Sequence, residues 1–489
     1  MAFPANMIWE VRSSGSDNNG GGYTPTGGGT DYSLQNSAQV AYTDLVIDPT
    51  TNTNCTSVAT PFTSAHVGNV LNITSGTGFT VQRVYIVSVA SGIATCDKSL
   101  GTLSSINGVA NLGGALATPE AADVLVVPGN IVYVASGTYT KTTTRSLTCD
   151  GTLTGGEIAF IGYPAGGTRA DVDVVEGSMP VFTSATNSNH LITTNGLFRT
   201  RIRNFKLTHT AATRGNGFHA NTASMSGLTL ENCIADGCLS GFAAAGASWN
   251  RCSFIRCVAK NSTSHGFSIA QATNSLLLMD CVSYANAGSG FSFSGSVAHD
   301  LILLNCIAYS NTGANGYGLW DQVTTTDEDA VKRIINCSFY GNSQSNIRFE
   351  YTTGGSRGMI FANIISYGTT GGYGISCATA GLLDGTYPIV KNCAFGSNSS
   401  GARQNFRIGE GDVTLSADPF TNAAGGNFSL NNTAGGGALL RQLAYPSEIG
   451  IKGSTTQQYL DIGAANHLEV ASGGSSGIKV NRGLHAGIN

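Results

Sequence analysis

The chain has 489 residues, of which 65 are glycine, 41% are hydrophobic and only 11% are charged. A formal charge of −4 and the lack of a basic run exclude a field for phosphate backbones, so no nucleic-acid partner is expected. No stretch of about eighteen apolar residues occurs, which excludes insertion in a membrane as a helix, and 20 Phe with 17 Tyr argue for a packed core rather than disorder.

Along the chain, the first residues lack the basic start and long apolar run of a secretory signal, so folding in a cytoplasm is expected. Residues 1–43 open with a strand at residues 8–11 and continue through a glycine-rich segment, 15–29, with little to bury, which is read as loop. None of the glycine runs, Gly20 to Gly22 included, has the Lys-Ser/Thr ending of a phosphate loop. Residues 44–124 form a β-rich module, with strand-like runs at 67–73 and 83–89 between glycine turns. That module ends in a short helix within 115–122, near Pro119, capping the first coil of a repeat.

Residues 125–415 carry that repeat. A polar residue followed by an apolar one recurs at Asn204-Phe205, Asn232-Cys233, Arg256-Cys257, Asp280-Cys281, Asn305-Cys306, Asn336-Cys337, Asn363-Ile364 and Asn392-Cys393, at intervals of 28, 24, 24, 25, 31, 27 and 29. Periods in the twenties indicate a solenoid, whose repeats bury their apolar faces only against one another. A second landmark, glycine before an apolar residue, recurs at Gly217, Gly241, Gly266, Gly290, Gly318 and Gly374. Such coils are too short for a strand plus a substantial helix, so the expected fold is all-β, a right-handed single-stranded parallel β-helix. Asparagine suits the bend because it tolerates left-handed backbone and its amides can bond along the axis. Cys233, Cys257, Cys281, Cys306, Cys337 and Cys393 then form a ladder of small buried groups, with Asn204, Asn232, Asn305, Asn336, Asn363 and Asn392 beside it. Cys252 and Cys257 lack the spacing of a zinc knuckle, and no metal or cofactor is expected. Residues 416–489 are read as a C-terminal cap and polar tail.

The segment 129–139, with Val132, Val134 and the Gly137-Thr138-Tyr139 turn, resembles the first coil of the pectate-lyase-like right-handed β-helix proteins. The asparagine-cysteine coils and the closing segments at Ala417 to Phe420, Gly426 to Leu430 and Asp461 to Ala464 are similar too. The resemblance covers roughly residues 125–465 and implies the fold; its superfamily holds lyases, glycosidases, adhesins and phage tail spikes. In its overall organisation the chain is most similar to the β-helix proteins of tailed bacteriophages. That likeness implies a structural or adhesive virion component, a spike, fibre or capsid decoration, folded in the host cytoplasm. Its implied partners are other virion proteins, further copies of the chain in a trimer, and a host-surface glycan. The alternative is a polysaccharide-binding or polysaccharide-degrading enzyme, a lyase or glycosidase.

No catalytic residue is assigned. Ser264-His265-Gly266 is similar to a polygalacturonase triplet, but the companion motifs of that family are absent and Gly266 is already a turn landmark, so His265 is read as a turn histidine. Asp171, Asp173 and Glu176 are read as a solvated strand edge rather than a cation site. Trp9 and Trp249 are read as packed aromatics. The candidate ligand site is the longest interval, where Trp320, Asp321, Asp327, Glu328 and Asp329 would put an aromatic and several acids on one protruding loop, extended by His299 and Asp300.

Overall fold

The computed structural model describes residues 3–441 except 195, 221–223, 246–247, 271–272, 295–297, 323–330, 352–357 and 384–387, together with 443–444 and 462–464. Asp327, Glu328, Asp329 and the tail 465–489 lie outside the described residues. The chain is all-β and divides into two units, the first comprising Met1–Thr140, Arg145–Phe182 and Leu197–Phe205, the second Lys141–Thr144, Thr183–Gly196 and Lys206–Asn489.

In the first unit, six antiparallel strands close a barrel in the order Val40–Ile47, Asn54–Thr56, Ile93–Cys96, Gln82–Ala90, Val70–Phe79, Gly101–Leu112. Alternate residues of these strands, among them Leu45, Ile47, Leu71, Ile73, Val84, Ile86, Ala110 and Leu112, fill its interior. The barrel is an insertion. Ile8–Val11, which precedes it in the chain, lies in parallel beside Ile131–Ala135, which comes after it, with Ile8 opposite Ile131 and Val11 opposite Val134. Ile158–Tyr163 and Thr200–Arg203 continue the same sheet. The helix Pro119–Asp123 is capped by the Thr118 hydroxyl, which accepts from the Ala121 N–H.

Part of the glycine-rich segment departs from its reading as a loop with little to bury. Gly20, Gly21 and Gly22 are buried, and Gly22 pairs with Trp9. A Cβ on Gly20 would lie 2.0 Å from the Val70 carbonyl oxygen, and one on Gly21, whose φ is +82°, would lie 2.5 Å from the Leu116 side chain. Gly20 is there because backbone meets backbone, and Gly21 and Gly22 because the side chains of Leu116, Val70 and Trp9 fill the space a Cβ would need. The charged residue of the first strand is equally buried: Glu10 accepts from Arg12 at 2.7 Å and from Arg169 at 2.8 Å, and from the Tyr163 hydroxyl.

The second unit is a parallel β-solenoid of about nine turns. Each turn contributes a strand to each of three sheets, as in Ser253–Ile255, Val258–Lys260 and Phe267–Ile269. Stacking is in register, so like residues form columns: Phe218, Phe242, Phe267 and Phe291 succeed one another with ring centroids 5.5, 4.6 and 5.0 Å apart.

At the bend between the first and second sheets, Asn232, Arg256, Asp280, Asn305, Asn336, Asn363 and Asn392 all have positive φ, from +48° to +59°, and Asn204 of the first unit has +62°. The amides link axially, Asn363 Nδ2 donating to Asn336 Oδ1 at 2.8 Å, Asn336 to Asn305 at 3.2 Å, and Asn305 to Asp280 at 3.1 Å. Inside the bend the six cysteines are buried thiols outside any disulfide. The Cys257, Cys281 and Cys306 thiols each reach a carbonyl one coil back, at 3.3 to 3.4 Å.

The C-terminal residues do more than cap. The hairpin of Phe420–Asn422 and Asn427–Leu430 packs on the outer side of the second sheet, where Phe428 stands 5.0 Å from Tyr309, and Ile462 joins the same cluster.

Candidate functional site

In the three-residue strands of the third sheet, the outer two side chains face the core and the middle one faces outward, because consecutive residues of a strand alternate. The outward column therefore runs Ser268, Ser292, Trp320, Arg348, Ser376. Trp320 is half-buried and sits between two further rings, Tyr317 at 5.2 Å and His265 at 6.0 Å. Its indole N–H is turned from solvent without an acceptor among the described atoms. On the next coil Arg348 forms a two-pronged contact with Glu350, at 2.8 and 3.2 Å, and Gln322 donates to Ser292 at 2.9 Å.

His265 thus belongs to an aromatic shelf as well as to its turn. Its Nδ1 accepts from the Ser289 N–H at 2.9 Å, and burial holds the ring below the ordinary histidine range. The neutral ring therefore carries its proton on Nε2, as a donor. Burial raises the Tyr317 phenol, which stays protonated and can both donate and accept.

Of the acids expected beside Trp320, Asp327, Glu328 and Asp329 lie outside the described residues, and Asp321 does not join the loop. Asp321 is 1% exposed and inward-facing, held by Lys332 at 2.5 Å and Tyr351 at 2.8 Å. As neighbours in one strand, Trp320 and Asp321 must face opposite sides of the sheet, so they cannot share a ligand. Asp300 is exposed with φ +54°, and the His299 side chain lies outside the described residues. Asp171 and Asp173 are not simply solvated: Arg201 contacts Asp171 at 2.5 Å and Arg203 contacts Asp173 at 2.9 Å. The Arg201 hydrogen bond is the main cause holding the Asp171 carboxyl below its ordinary range. Trp9 and Trp249 are fully buried, Trp9 donating to Asn130 at 3.1 Å. Among the described residues no three His, Cys, Asp or Glu side chains gather as a metal site.

Sequence reasoning missed Tyr317 and Arg348. The signal for Arg348 was available: Gly318-Leu319 and Asn346-Ile347 are equivalent turn-strand junctions, which puts Arg348 in the same outward column as Trp320.

No protein-family model matches the sequence, and no curated protein does either. Among solved structures the chain is similar to the pectate lyase Pel9A, at 15% identity over 72% of this chain and 92% of that one, with a TM-score of 0.43. It is also similar to a tailspike protein of Acinetobacter baumannii bacteriophage Fri1, a capsular polysaccharide depolymerase. That match has 10% identity over 74% and 68% of the two chains and a TM-score of 0.37. A third likeness, to the Agl-KA catalytic domain, has 10% identity over 71% and 86%, with a TM-score of 0.36. At these scores no residue role transfers to this chain.

Proposed function

We propose that this chain is a glycan-binding β-helix of a bacteriophage virion, a spike, fibre or decoration that adheres through the third sheet of its solenoid. The observation that carries the binding reading is the Trp320 shelf. A half-exposed indole flanked by Tyr317 and His265 offers an apolar face for a sugar ring, and the phenol, imidazole and Arg348–Glu350 pair supply hydrogen-bonding groups at its edge. Binding is preferred to cleavage because hydrolysis needs two carboxyl groups converging on one bond. Among the described residues of this face, Glu350 is engaged by Arg348, and Asp321 points the other way. The virion setting, with further copies of the chain and other virion proteins as partners, rests on the resemblance of the repeat and its flanking segments.

The test is binding of the purified chain to immobilised bacterial polysaccharides, alongside assays for new reducing ends and unsaturated uronates. Trp320→Ala should weaken binding by about 2 kcal/mol, roughly 30-fold, as loss of a central aromatic anchor does, and no product should form. Undiminished binding by the variant, or release of cleaved product, would overturn the reading. Electron microscopy of particles from the source phage, with the chain labelled, would show whether the virion assignment holds.

A further inference from the structure

Inside the solenoid, behind the Trp320 shelf, one coil interrupts two apolar columns with a charged pair. Asp321 lies between Phe293 and Phe349 of the adjoining coils, and Lys332 between Leu301 and Met359. Asp321, Lys332 and Tyr351 are 1%, 3% and 0% exposed. Lys332 Nζ is 2.5 Å from Asp321 Oδ2 and donates to the Tyr351 oxygen at 2.9 Å, while the Tyr351 hydroxyl donates to the same Oδ2 at 2.8 Å. The three groups close a ring of hydrogen bonds around one carboxyl group. A buried ion pair is poor at stabilising a fold compared with the apolar residues that occupy the neighbouring coils, so its presence here calls for another role.

We propose that Lys332 and Asp321 become joined by an intramolecular amide bond, an isopeptide crosslink across the core of the solenoid. Moving the proton of the pair from nitrogen to oxygen cancels both charges and leaves an amine touching a carboxylic acid. The Nζ lone pair then forms a bond to Asp321 Cγ. One carboxyl oxygen leaves as water, taking the acid proton and one proton from the nitrogen, the latter passed through the Tyr351 hydroxyl. Atoms and electrons balance without oxidant or co-reactant. Contact with Oδ2 already places Nζ one further bond from the carbon it attacks, and fixed proximity of this kind replaces a bimolecular encounter. Burial and the neighbouring carboxylate raise the Tyr351 phenol, which keeps its proton available for the relay. The product exchanges two buried charges for one neutral amide and closes a covalent ring over residues 322–331, within the longest interval of the repeat.

Mass spectrometry of the full-length chain under denaturing conditions tests this directly. The expected mass is lower than the sequence mass by one water, and proteolysis should release a branched peptide joining Asp321 to Lys332. Lys332→Arg, which keeps the charge but removes the amine, should restore the sequence mass. An unmodified mass with Asp321 and Lys332 on separate peptides would overturn the proposal. Loss of one water with those peptides still separate would overturn it equally. The wild-type measurement decides the matter even if the variant fails to fold.

Discussion

Asn336 shows how much one side chain does at a bend of the repeat. Its φ is +52°, its Nδ2 donates to Asn305, its Oδ1 accepts from Asn363, and it is 4% exposed. Left-handed backbone costs most L-residues about 1–2 kcal/mol, and depriving a buried amide of its partner costs about 1–3 kcal/mol. Asn336→Ala should therefore lower the unfolding free energy by at least about 2 kcal/mol. Asn336→Gly should lose less, because glycine recovers the backbone part. Urea unfolding of both variants checks this, and equal losses would show that backbone conformation contributes nothing. A second amide ladder, Asn286 to Asn311 to Asn342 at 2.9 Å per step, lines the bend between the second and third sheets. The residue pattern held its signal, a tyrosine two positions ahead of each: Tyr284, Tyr309 and Tyr340.

At the scale of elements, the C-terminal hairpin settles the fate of an aromatic face. Tyr284 stacks on Tyr309 at 4.7 Å and Tyr340 on Tyr367 at 6.0 Å along the outer side of the second sheet. Phe420, Phe428 and Leu430 pack against them, and the Tyr340 hydroxyl donates to Asp418 at 2.9 Å. Phe428, 2% exposed, is the centre of this cover. Phe428→Ala should cost about 3–5 kcal/mol, the usual range for truncating a buried phenylalanine. The variant should also bind a hydrophobic dye at temperatures where the wild type does not. Unchanged melting and no dye binding would mean that the hairpin is dispensable to the coils. The expected cap was legible in residues 417–430, but its lateral placement was not: apolar residues at intervals say that a segment is buried, not against which face.

For the whole molecule, the histidines set the response to acid. Burial lowers His66, His190, His209, His219 and His265 from the ordinary 6.5, and His219, with His190 adding repulsion, is pushed to about 4. The ring centroids of His190 and His219 are 3.8 Å apart. As pH falls below 6.5 the unfolded chain takes up protons that the folded histidines refuse, so folding stability is full above that value and declines toward pH 4. Melting temperature should fall measurably between about pH 7 and about pH 5, with His219→Gln flattening the slope. A melting temperature constant over that range, or a slope untouched by the variant, would count against this account.

The residue order by itself determined the coil. Its period, the bend residues able to adopt positive φ and the small thiols inside them are local properties that repeat, and repetition makes them readable. The outward position of Trp320 and the inward one of Asp321 were also within reach, since strand alternation alone separates them. Tertiary structure alone decided the rest. The strand Ile8–Val11 finds its partner Ile131–Ala135 across an inserted barrel. The glycines at 20–22 are buried because the Val70 backbone and the side chains of Leu116, Val70 and Trp9 leave no space for a Cβ. Asp321 meets Lys332, eleven residues on, and Tyr351 of the next coil only when the coils stack. Each of these depends on how separate elements pack together, which a local pattern does not encode.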